Sequence, residues 1–146
     1  MSRRLTSPRW LLTRGPLILL ALLVLIQAVP YGRSHANPPV TAEPAWDAQT
    51  RTLFMRACGD CHSNLTVWPW YSNVAPISWL VQRDVDGGRS SLNLSTTRTF
   101  DVGDVVEQIQ GGSMPPWFYV IQHAQAGLSK ADQAKLVAGL RAAAGR

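Results

Sequence analysis

The two cysteines of the chain stand three residues apart in Cys58-Gly59-Asp60-Cys61-His62. C-x-x-C-H is the attachment pattern of a c-type haem. On a helical turn the positions i, i+3 and i+4 project from one face, so both thiols can add to the haem vinyl groups while the imidazole reaches iron. Other chemistries also use such a pair. Thiol-disulfide exchange places C-x-x-C at a strand-to-helix junction of a βαβ unit, and this chain offers no strand alternation. A structural zinc site needs four ligands, and beyond Cys58, Cys61 and His62 the remaining histidines are His35 and His123. A disulfide across two residues would stabilise very little, because the closed loop is so short.

An iron held by His62 takes a second axial ligand in an electron carrier or keeps an open face for small molecules. Of the three methionines, Met1 is in the leader and Met55 lies just before Cys58, where it cannot easily wrap to the opposite face. Met114 follows Gly111-Gly112 and precedes Pro115-Pro116, on a stiffened loop with enough chain to cross the porphyrin. Met114 is therefore the expected sixth ligand. His123 is the rival, and would give a bis-histidine iron of lower potential. The second ring nitrogen of His62 should donate to a backbone acceptor, with Pro76 as the candidate. Trp46, Trp68, Trp70, Trp79 and Trp117 are expected to fill the core and wall the porphyrin.

The elements that position these residues read as helices. Trp46, Leu53, Phe54 and Ala57 fall on one face of a first helix over 45–58. Residues 63–75 form a loop with buried rings. Pro76 opens a second helix that Gly87 or Gly88 should stop. Residues 89–99 show no element. Asp101 or Gly103 leads into a short third helix with Val105, Val106 and Ile109 on one side, ended by Gly111-Gly112. Ser129 caps a fourth, with Leu136, Val137, Leu140 and Ala144 as its apolar stripe. The fold class is all-α, a small cytochrome c-like domain of about four helices around one haem, behind an N-terminal membrane helix.

The chain has 146 residues and a formal net charge of +5. The excess sits in the leader, where Arg3, Arg4, Arg9, Arg14 and Arg33 have no acid among them, while residues 37–146 balance nine basic against nine acidic residues. Phosphate-backbone binding loses its electrostatic warrant, and no nucleic-acid partner is expected. The apolar run Pro16–Val29 reads as a targeting or anchoring element. From Trp10 to Pro30 it reaches about 31 Å as a helix, enough for a single span, and Ser34-His35-Ala36 is a competing cleavage site. The predicted organisation is a leader over 1–36, a Pro-rich linker over 37–44 and a haem-binding domain over 45–146. The leader implies a bacterial inner-membrane location with the domain in the periplasm, or a soluble periplasmic protein after cleavage near Ala36.

The stretches NPPVTAE (37–43), CGDCHSN (58–64), WPWYSNVAPISWLVQRDV (68–85), GRSSLNLS (88–95), GSMPPW (112–117) and LSKADQ (128–133) resemble small bacterial haem-binding domain proteins related to c-type cytochromes. Thr96-Thr97 departs from that pattern. The resemblance implies one covalent haem c with its iron, attached at Cys58 and Cys61, with His62 as proximal and Met114 as distal ligand. It also implies export, commonly behind a membrane helix. The expected function is an exported monohaem cytochrome that passes one electron between redox partner proteins, with no catalytic residues and no substrate chemistry. The alternative is a haem-based sensor or gas-binding module with an open or displaceable sixth ligand. Peroxidase-like turnover would want a polar residue over the iron, which Met-Pro-Pro-Trp-Phe-Tyr does not obviously supply.

Overall fold

The computed structural model describes residues 8–144, with side chains from residue 14 onward. Every regular element among the described residues is helical: α1 (Pro8–Ile26), α2 (Ala48–Ala57), α3 (Gly59–His62), α4 (Ile77–Ser91), α5 (Val102–Gln110), α6 (Trp117–Gln122) and α7 (Lys130–Ala144). Single 3-10 turns occur at Trp70–Asn73 and Ala124–Ala126. The all-helical expectation is therefore met. Two compact units are formed, one from the chain through His35 with Pro69–Gln82, the other from Ala36–Trp68 with the chain from Arg83 onward.

The first unit corrects the membrane-helix expectation. Among the described residues no helix is long and apolar enough to cross a membrane. After Arg14 and Pro16 only Leu17–Ile26 is continuously apolar before the helix ends. Those ten residues give about 15 Å of helix against a hydrocarbon core of about 30 Å. Neither a span over residues 10–30 nor the single-pass inner-membrane location is supported. The flanking Arg3 and Arg4 lie outside the described residues. Gln27, the polar residue of the run, is committed to the folded unit. Its side-chain amide donates to the Ala75 carbonyl at 2.9 Å and accepts from the Ala75 amide at 3.0 Å. Gly32 holds φ +79°, and a Cβ there would strike the Ser78 carbonyl.

The second unit carries the core. Helix α2 begins where the Asp47 carboxylate accepts from the Thr50 amide at 2.9 Å, which satisfies an orphan donor of the first turn. Its buried Thr50, Leu53, Phe54 and Ala57 follow the helical period. Leu53 and Phe54 cluster with Leu94, Val106, Ile109, Leu136, Val137 and Leu140, drawn from α5, α7 and the segment after α4. Gly139 lets α7 close on α2, since a Cβ there would overlap the Thr50 side chain. The Ser129 cap of α7 is reciprocal, its hydroxyl accepting from the Asp132 amide at 3.1 Å while the Asp132 carboxylate accepts from the Ser129 amide at 3.4 Å.

Helix α4 differs from expectation, for it runs through Gly87 and Gly88 to Ser91. A Cβ on Gly88 would collide with the Cys61 carbonyl, so this glycine serves close packing against the C-x-x-C turn rather than termination. The structure also adds the one-turn α3 and the short α6 to the four expected helices. Residues 37–44 run extended, with the Thr41 amide on the Ser95 carbonyl at 2.9 Å and the Pro39 carbonyl accepting from the Asn64 side chain at 2.9 Å.

Candidate functional site

Helix α2 breaks at Cys58, whose φ of −128° leaves the helical region, and the chain re-enters a single turn, α3. The amides of Cys61 and His62 both donate to the Cys58 carbonyl, at 3.2 and 2.9 Å. The C-x-x-C-H residues are thus wound on one turn. Asp60, between the cysteines, ties the turn to the chain beyond it. Its carbonyl accepts from the Thr66 hydroxyl at 2.7 Å, one carboxylate oxygen accepts from the Val67 amide at 2.8 Å, and the other accepts from the Tyr119 hydroxyl at 2.5 Å.

The segment after α4 is laced to this turn. The Leu94 amide donates to the His62 carbonyl at 3.0 Å, the Asn64 amide to the Ser95 hydroxyl at 3.0 Å, and the Asn93 side chain to that of Asn64 at 2.8 Å. Nδ1 of His62 lies 3.1 Å from the Leu92 carbonyl. A carbonyl only accepts, so Nδ1 carries the proton and Nε2 presents a bare lone pair. The expected backbone acceptor is present, but it is Leu92 and not Pro76. Arg89 completes the frame, donating to the carbonyls of Ser63 and Ala36 and to the side chains of Asn37 and Thr66, all within 3.0 Å.

A cleft of about 530 Å³ opens beside the turn, and Cys58, His62 and Met114 all line it. Phe54, Leu92, Phe100, Val105 and Ile109 supply apolar wall, while Asn93, Thr96, Thr97 and Thr99 supply hydroxyl and amide groups. The Met114 loop is held at its start, where the amides of Ser113 and Met114 both donate to the Gln108 carbonyl at 3.1 Å. Cys61 is not on the lining. Its backbone and Cβ face Gly88. His123 is also off the lining, stacked on Tyr119 with centroids 4.4 Å apart.

Of the tryptophans in the second unit, Trp46, Trp68 and Trp117, none lines the cleft. Trp46 packs on Phe54 at 5.2 Å, and Trp70 and Trp117 are 80% and 73% exposed. Where the sequence suggests tryptophan, the apolar part of the cleft wall is phenylalanine and aliphatic side chains. The segment 89–99, which shows no sequence period, supplies much of the wall. Only Asn93-Leu94-Ser95, a short polar pair around a buried leucine, hints at it in the sequence.

Burial pushes the Cys58 thiol up to about 12, with the neighbouring Cys61 adding to it. Cys61 is pushed to about 11 by burial first, then by Asp84 and Asp60, with Arg89 opposing. Both thiols are protonated at neutral pH, the opposite of the lowered thiolate that disulfide exchange uses. Among the described residues no group of three or more His, Cys, Asp or Glu is placed to hold a metal ion, which leaves the zinc reading without ligands. A cysteine, an imidazole and a thioether around a cleft with one apolar part and one polar part do suit a haem, which has vinyl groups for the thiol and an iron for the other two.

Comparison with known proteins gives the same direction. The family model described as a haem-binding domain matches residues 21–142, most of the chain. No curated protein and no solved structure matches it.

Proposed function

Since the chain belongs to the haem-binding domain family, we propose that it is a monohaem c-type cytochrome that passes single electrons between redox partner proteins. The observation that carries this reading is the meeting of Cys58, His62 and Met114 on one cleft. In it, Cys58 and Cys61 would hold the haem as thioethers, each S–H adding across a vinyl double bond without net oxidation or reduction. His62, through Nε2, and Met114, through its thioether, would be the side chains that hold the iron. When bound, the haem supplies a one-electron iron couple, and thioether ligation raises its potential.

The protein's own residues then have a limited task. The Leu92 carbonyl fixes the His62 tautomer and increases its basicity as a ligand. Phe54, Leu92, Phe100, Val105 and Ile109 would give the macrocycle apolar contact on part of the cleft wall. No general base or nucleophile is required of the chain for this role.

Carbon monoxide tests the closed coordination. The ferrous wild-type protein should bind it slowly at neutral pH, and Met114→Ala should retain covalent haem while binding it rapidly. Rapid binding by the wild type would replace the electron carrier with a gas-binding module, and an unchanged Met114→Ala spectrum would remove Met114 as ligand.

A further inference from the structure

Helix α6 comes directly after Met114-Pro115-Pro116, yet none of its residues is buried. Trp117 and Ile121 are 73% and 72% exposed, and Phe118 is 46% exposed. Only Tyr119 and Val120 of this helix are half-buried, so hydrophobic burial contributes little to fixing it. The start of the loop is secured on α5 through the Gln108 carbonyl. Its far end needs another anchor. Tyr119, on α6, donates its hydroxyl to the Asp60 carboxylate at 2.5 Å, and Asp60 lies between the two cysteines of C-x-x-C. The acceptor is itself immobilised, because its other oxygen takes the Val67 amide and its carbonyl takes the Thr66 hydroxyl. The Tyr119 ring also stacks on His123 at an interplanar angle of 16°, which restrains its rotation.

We propose that Tyr119 is a positioning residue for the sixth ligand: its bond to Asp60 couples the helix after Met-Pro-Pro to the turn bearing His62, and so sets how firmly Met114 is held at the cleft. The inference rests on the reading of Met114 as the distal ligand. Tyr119 is not on the cleft lining, and acts through the short stretch of chain that separates it from Met114. A hydrogen bond from a phenol to a carboxylate is charge-assisted, and so stronger than one between neutral groups.

The test uses haem-loaded protein and the double-mutant cycle of Tyr119→Phe with Asp60→Ala, with carbon monoxide association and reduction potential as readouts. Tyr119→Phe should bind carbon monoxide about ten-fold faster, the scale of losing one such bond, and its potential should fall. In the Asp60→Ala background, Tyr119→Phe should change neither quantity further, since the partner is already gone. If Tyr119→Phe lowers only resistance to urea, leaving both readouts at wild-type values while Met114→Ala opens the site, the positioning role is overturned and the cytochrome reading stands. If Met114→Ala itself leaves carbon monoxide binding unchanged, the distal-ligand reading is overturned and this inference falls with it.

Discussion

Burial sets the chemistry of the two cysteines before any cofactor arrives. With Cys58 pushed up to about 12 and Cys61 to about 11, the thiolate fraction at pH 8 is far below that of an unfolded chain, whose thiols titrate near 9. Iodoacetamide should alkylate the folded, haem-free protein roughly 100-fold more slowly than the urea-unfolded chain at that pH, as thiolate fraction dictates. Equal rates would mean the thiols are exposed and activated. The residues with distinctive chemistry are legible at this scale. Cys58, Cys61, His62 and Met114 announce themselves by type and spacing, and three of the four line one cleft. The Leu92 acceptor is not legible, because a backbone carbonyl leaves no mark in a sequence. Nor is the wall, since Trp is the larger apolar ring while the fold delivers Phe54 and Phe100 to the cleft instead.

Helix boundaries obey local rules where a polar side chain does the work. Asp101 caps α5 by accepting from the amides of Gly103 and Asp104, as Ser129 caps α7, and both caps are readable in the sequence. Asp101→Ala should cost about 1 kcal/mol in urea unfolding, the usual worth of such a cap. Because α5 carries Val105 and Ile109 of the cleft and the Gln108 carbonyl that holds Met114, the same variant should also weaken the hold on the Met114 loop. Glycine is harder to read. It can mark a helix end or a close approach, and Gly88 is the second kind, pressed on the Cys61 carbonyl. Overpacking by Gly88→Ala should cost roughly 1–3 kcal/mol against the ~1 kcal/mol that alanine gains in a helix, a net loss of up to about 2 kcal/mol. A variant as stable as wild type would show that α4 does not need this contact. The segment after α4 is opaque because it has neither period nor cap, and its order comes from pairing with residues 62–64.

The surface carboxylates decide how the whole molecule responds to acid. Arg51 beside Glu43 holds its carboxyl below the ordinary range, the Thr50 amide does the same for Asp47, and Arg56 does so for Asp132. A depressed folded-state value contributes stability that is present at neutral pH and is lost as pH falls through it. Asp84, raised by burial, acts in the opposite sense. Three lowered groups against one raised group predict that the haem-free protein loses stability from about pH 5 downward. A urea midpoint that stayed constant to pH 3 would contradict this balance. At the same scale, the balanced charge of residues 37–146 and the all-helical class are readable from composition and period. The membrane span is not, because apolar content over Trp10–Pro30 does not reveal the stop that the structure places at Ile26.

That this cleft holds haem through C-x-x-C-H is tested most directly in the protein matured with a c-type haem attachment system. Acid-acetone extraction followed by an alkaline pyridine spectrum of the denatured chain reads the outcome. The expected result is haem that stays with the polypeptide and shows the blue-shifted band of two saturated vinyl groups. Haem that extracts completely into the organic phase would contradict attachment at Cys58 and Cys61.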